Sequence, residues 1–278
     1  TGHNSLTIDS SGGLIDASDV VISVLGSSLA LKQDGYLNLA DYNFDYQNTT
    51  HLLLESYSES INAVDQSHGG KNANAADQWA SITATAKNNI TLQGAGTITA
   101  KALNSTATDS IIGNISVTSD SSKVLATEDI TADNGSVSLI AANGIDVTTN
   151  IIASSGITLI GLVHADGGSQ VFDAGAGSLL AQDTITKAST GNLTLAGDAL
   201  VDLEGKVQVD DGDLLINDTV NAESDLQASG LIWLQEIGNL AGNVTATGSD
   251  ITFDKAVIAD GLISQIFDAG SGTLWAEN

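Results

Sequence analysis

The chain has 278 residues, with 34 Asp and Glu against 8 Lys and Arg, for a formal net charge of −26. It contains no Cys, Pro or Met, and every basic residue is Lys; average usage would supply about 14 prolines in a chain this long. These counts exclude a disulfide framework, a thiolate zinc site and a Cys nucleophile, oppose binding to nucleic acid or anionic lipid, and leave no apolar run near the roughly 20 residues of a membrane span.

Disorder is not expected, because hydrophobic residues make up 42% and charged residues 15%. The absence of an initiator Met is expected of a processed product or of a piece of something longer. Helix text is nearly absent. Residues 1–40 open with NSLTIDSSGGLIDASDVVIS (4–23), strand-like and without an evident cap. Residues 41–80 break the pattern. With Tyr36 just ahead of it, this stretch gathers Tyr42, Phe44, Tyr46, Tyr57 and Trp79, and ends in the small polar run HGGKNANAAD (68–77). We read it as an insertion or decorating loop with one short helix near 51–64. Its aromatics Tyr42, Phe44, Tyr46, Tyr57 and Trp79 form either a binding surface, since aromatic rings supply large rigid contact area, or a small core packing the insertion.

From residue 81 to 278 the text is strand and turn. Short runs such as NITLQ (89–93), NISVT (114–118), SVSLI (136–140), ITLIG (157–161), NLTLA (192–196) and NVTAT (243–247) are punctuated by Gly, Asn, Asp and Ser. Their first apolar residues Ile115, Val137, Ile157 and Leu179 step by 22, 20 and 22, and Leu193 to Leu214 adds 21. A step near 21 is the mark of a repeat architecture and suits one coil of a parallel β-solenoid, all-β in class. Roughly eleven coils are expected outside the insertion, stacked ~4.8 Å apart. A longer match overlies the coil step: ADGGSQVFDAGAGSLLAQD (165–183) returns as ADGLISQIFDAGSGTLWAE (259–277), with Gln170 aligned to Gln265 at an offset of 95. It suggests duplication of a multi-coil block.

Chemistry-bearing residues do not rise above this periodic background. Asp210, Asp211 and Asp213, in VDDGDL, are the densest acids, and closely spaced oxygens beside a Gly turn are calcium chemistry. The alternative is a charged corner, and calcium is the one cofactor the sequence offers. Glycoside hydrolysis needs two carboxylates flanking a cleft, and no such pair stands out. His3, His51, His68 and His164 are scattered, and no GxSxG elbow supports a Ser-His-Asp triad. The Thr rows at 83–86 and 97–100 raise ice binding, but their spacing is irregular. The Asn-x-Ser/Thr strings at Asn114, Asn192 and Asn243 among others read as coil geometry, with Asn at the corner.

The strings GNISV (113–117), GNLTL (191–195) and GNVTA (242–246), with DITADNGSVSLIAANGIDV (129–147) and IFDAGSGTL (266–274), resemble large bacterial exoproteins of the filamentous-haemagglutinin type. The resemblance covers about residues 85–278. It implies a right-handed parallel β-helix that is secreted, extracellular or at the cell surface, and non-enzymatic: a structural fibre or adhesin whose partners are further copies of itself or a glycan or protein of a host or neighbouring cell. Parallel β-helices also include polysaccharide lyases and hydrolases, which is the alternative. SGTLWAEN stops inside a repeat that at 177–183 runs on into further strands, which places Trp275 at an uncovered end. Either the chain is cut from a longer exoprotein, or the last coil of one subunit stacks on the first coil of the next.

Overall fold

The structure, a computed structural model, describes residues 5–10, 12–15, 21–24, 28–39, 42–46, 50–63, 76, 79–108, 111–259 and 264–276. Among them there is no α-helix. The chain divides into two compact units, Thr1–Asn143 and Gly144–Asn278. Each is a parallel β-solenoid, and the turns number about 10 in all.

In the first unit one ladder stacks Ser5–Ser10, Ser28–Gln33, His51–Ser56 and Ser81–Ala86 in parallel register. A second stacks Leu37–Asn38, Ile61–Ala63, Ile90–Gly94, Ile115–Ser119 and Ser136–Ala141. The strands alternate with period two, as a half-buried strand must. In His51–Ser56, Leu52, Leu54 and Ser56 are buried while His51 is exposed. The short helix expected at 51–64 is therefore corrected to two strands, His51–Ser56 and Ile61–Ala63. Leu52 and Leu54 stand two residues apart, and each continues a column that the neighbouring rungs begin: Leu52 lies between Leu29 and Ile82, and Leu54 between Leu31 and Ala84. These rungs fall inside the stretch 41–80, so that part of it is solenoid.

Further along this unit the cross-section changes. Ile98–Ser105 shifts register against Ser81–Ala86 between Ala100 and Ala102, a bulge at the exposed Lys101. Beyond the bulge one long strand is continued by two short ones: Ile98 to Ala100 pairs with Val124–Ala126, and Leu103 to Ser105 with Ile130–Ala132. A coil side is split in two by one extra residue.

The second unit has three faces throughout. The first runs through Gly156–Ile160, Ser178–Ala181, Leu200–Leu203, Val220–Ala222, Gly238–Leu240 and Val257–Ala259. The second runs through Ile145–Val147, Val163–Ala165, Ile185–Lys187, Val207–Val209, Leu226–Ala228, Val244–Ala246 and Phe267–Asp268. The third runs through Ile151–Ala153, Gln170–Asp173, Leu193–Ala196, Leu214–Ile216, Ile232–Leu234, Ile251–Phe253 and Leu274–Ala276. Most strands are three residues long with the outer two buried, so each side gives two apolar side chains to a central column such as Ile185, Leu193 and Val201.

The coil step is looser than 20–22. Val163, Ile185, Val207, Leu226, Val244 and Phe267 pair in succession at intervals of 22, 22, 19, 18 and 23. The two long matching strings also sit differently. Phe172 pairs with Leu195 on the third face, whereas Phe267 pairs with Val244 on the second. Leu179 lies on the first face and Leu274 on the third. The same text is rotated by one side, so an offset of 95 is not a whole number of coils.

The corners explain the Gly-Asn strings. A Cβ on Gly113 would lie 2.0 Å from Ser105 Oγ, and one on Gly242 2.2 Å from the Ser224 carbonyl carbon, so only Gly lets successive turns stack. The following Asn reaches along the stack to the next coil. Asn114 Oδ1 accepts from Ser136 N at 2.9 Å, Asn192 Oδ1 from Asp213 N at 3.1 Å, and Asn243 Oδ1 from Ile266 N at 2.9 Å. The donor is each time the residue just ahead of the first inward side chain, where the backbone ladder is interrupted. Asn192→Ala is expected to cost about 0.5–1.5 kcal/mol in urea unfolding, as for one hydrogen bond. Asn192→Asp keeps the acceptor and should lose less; equal losses would refute the cap.

Candidate functional surfaces

The acids set the charge of the chain. Asp210 Oδ1 accepts from Gln208 Nε2 at 2.6 Å, Asp211 Oδ2 from Thr190 Oγ1 at 2.7 Å, and Asp213 Oδ1 from Leu231 N at 2.7 Å. The three carboxylates serve three separate partners. Asp225 accepts from Asn243 N, Asp250 from Thr273 N, Asp183 from Gly161 N and Asp218 from Gly197 N. Among the described residues no three His, Asp or Glu side chains are grouped to hold a metal ion. At Asp210, Asp211 and Asp213, where calcium is expected, each carboxylate thus has a hydrogen-bond partner of its own.

The aromatic stretch is divided. Tyr42 is 5% and Trp79 3% exposed, so both belong to the core. Tyr42 donates its hydroxyl to Gln33 Oε1 at 3.0 Å. Tyr57 is exposed and donates to Glu55 Oε2 at 3.1 Å. Glu55 also pairs with Lys32 at 2.9 Å, and that hydrogen bond raises the Lys32 amine above its ordinary pKa. Phe44 and Tyr46 lie in the strand Asn43–Tyr46, which pairs with Val21–Val24; their side chains, like His3 and His68, fall outside the described residues. The structure thus does not bring these five aromatics to one surface. His51 Nδ1 and Ser81 Oγ are 2.7 Å apart on adjacent rungs, a ladder contact.

Sequence reading missed a set of inward polar residues that close the turns. Gln33 Nε2 donates to Tyr36 O, Ser56 Oγ to Gly35 O, Ser105 Oγ to Asn88 O, and Ser119 Oγ to Gly96 O. Gln170 donates to the carbonyls of Val147 and Thr149 and accepts from Gly167 N. Lys187 extends this role to a cation. It is fully buried, in ladder register with Val209, and its Nζ donates to Gly167 O and Gly168 O, both at 2.6 Å, and to Ser189 Oγ at 3.0 Å. Burial lowers its pKa below the ordinary lysine value, and the charge of Asp166 acts in the opposite direction. The available signal was a Lys standing where neighbouring coils carry Val or Ala.

Apolar side chains are exposed on the second unit. Leu274, on the inward side of its rung, is 48% exposed, and Phe253, Val257, Phe267 and Leu274 line a hollow of about 430 Å3. Trp275 is 56% exposed on the outward side of the same rung. No family model, no curated protein and no solved structure matches this chain.

The Lys187 plug carries a pH signature. The unfolded chain holds this proton to higher pH than the folded one does, so the burial penalty is full below the folded pKa. It is relieved as pH rises from the folded to the unfolded value. Lys187→Met should cost about 1–3 kcal/mol at neutral pH by leaving the Gly167 and Gly168 carbonyls without this donor. Urea unfolding from neutral to alkaline pH should show the original chain gaining on the variant as pH rises; parallel curves would contradict the assignment.

Proposed function

We propose that this chain is a segment of an extracellular or cell-surface structural fibre or adhesin, non-enzymatic, whose solenoid rungs stack head to tail with further copies. The observation that carries the reading is where the chemistry-bearing side chains are used. Asp, Asn, Ser, Gln and Lys187 are engaged at coil corners and turns, holding one rung to the next. What the coils offer outward is a repeated surface, the usual property of a scaffold that displays or spaces something. The parallel ladders support the stacking part, because each rung presents its backbone N–H and C=O groups along the stack and pairs in register with the rung beside it. A rung of a second copy added to such a ladder is a heterologous contact, which grows when it does not close on itself.

Electron microscopy and sedimentation of the purified chain test this reading. The expected result is concentration-dependent linear assemblies, shortened or abolished by Leu274→Asp with an unchanged circular dichroism spectrum. Monodisperse single chains at every concentration would overturn the stacking. Turnover of a polysaccharide that disappears on changing one carboxylate would overturn the non-enzymatic part.

A further inference from the structure

The outward side of the third face in the second unit carries a column that the backbone register defines rung by rung. Val171 pairs with Thr194, Thr194 with Leu215, Leu215 with Trp233, Trp233 with Thr252, and Thr252 with Trp275. Two of the chain's three Trp stand in this one column. They are two rungs apart, so their backbones are separated by about 10 Å, twice the parallel-strand spacing. Between them sits Thr252, short enough to leave a step with a hydroxyl in it. Trp233 is fixed in orientation: its Nε1 donates to Asp254 Oδ2 at 2.8 Å, a carboxylate on the next rung. Trp275 is 56% exposed. The third Trp, Trp79, is core.

An outward indole needs a reason in a chain this sparing of aromatics, which make up 4% of its residues. Indole presents a large rigid apolar face with a polar edge. Two of them on one sheet face, two rungs apart in one register column, match a ligand that repeats at that interval and offers an apolar face with polar edges. A neutral pyranose chain with equatorial linkages does so: its ring C–H bonds form the apolar face, its hydroxyls form the edge, and its disaccharide unit is close to the two-rung interval. Asp254 and Thr252 stand where hydroxyls would need acceptors. Charge settles which glycan. The sole Lys after residue 206 is Lys255, beyond Asp254, and the chain carries −26 overall, so sulfated or uronate chains are repelled.

We propose that Trp233 and Trp275, with Thr252 and Asp254 between and beside them, form a binding platform for an extended, neutral, cellulose-like or chitin-like glycan. The platform goes beyond the fibre reading and does not need it, since both Trp lie in one chain.

The test is titration of the intact chain with cellohexaose and chitohexaose, followed by calorimetry and Trp fluorescence. The controls are maltohexaose, which coils, and a heparin hexasaccharide, which is anionic. Saturable binding of at least one of the two extended neutral sugars is expected, with both controls at least tenfold weaker. Trp275→Ala and Trp233→Ala should each weaken binding about tenfold, the worth of one aromatic contact, and Trp275→Phe should keep most of it. Trp275→Ala, on an outward position, should leave the thermal midpoint unchanged. Absence of saturable binding, equal binding by Trp275→Ala, or preference for either control would overturn the platform. A change in sedimentation by Trp275→Ala without a change in sugar binding would assign the column to self-contact instead. Because binding is read on dilute single chains, its failure is separable from failure of the stacking.

Discussion

A single rung of a parallel solenoid satisfies almost none of its own backbone. Its N–H and C=O groups point along the stack, so each coil exists only because the coils on either side accept and donate. Everything else follows from keeping that register. Inward side chains must alternate with period two and stack like on like, as Leu29, Leu52 and Ile82 do. The weak points are the corners, where the chain bends and the ladder is interrupted. There side chains substitute for backbone: Asn89 accepts from Asn114 N and Asn114 accepts from Ser136 N, a relay passed from coil to coil.

This constraint gives the acidity a structural meaning. A corner needs an acceptor, and Asn and Asp supply one equally well. In the second unit Asn192 caps Asp213, whose own carboxylate caps Leu231; likewise Asp225 caps Asn243, whose amide oxygen caps Ile266. Acids so arranged are spread along the stack and engaged one by one. Their mutual repulsion is the cost of that arrangement, and salt screens it. The inward plugs obey the opposite requirement. Turn carbonyls facing the core need donors, and Ser, Gln and Lys187 supply them.

How much of this the sequence discloses depends on the range of each interaction. Alternation and the coil step are local, so the all-β parallel solenoid was legible, as was Asn at the corners. Coil length varies through the turns. The step therefore drifts from 18 between Leu226 and Val244 to 30 between His51 and Ser81, and no fixed period could place the faces. That drift is why the match at 165–183 and 259–277 lands on different sides. It is also why Trp233 and Trp275, 42 residues apart in the sequence, were not seen as one column. At 51–64, where one short helix is expected, three consecutive Leu hide a period of two, and only the rungs above and below show which of them face inward. The role of Lys187 is not legible locally for a further reason: its partners, Gly167 and Gly168, belong to the preceding coil.

The central claim is that corner side chains continue the hydrogen-bond ladder where the strands stop. Native-state hydrogen exchange, resolved amide by amide, tests it most directly. The account expects the amides of Asp213, Leu231, Asn243 and Ser136 to be protected nearly as strongly as strand amides such as Val207 and Leu226, and Asp213 alone to lose protection in Asn192→Ala. Corner amides exchanging at unfolded-chain rates beside protected strands would contradict it.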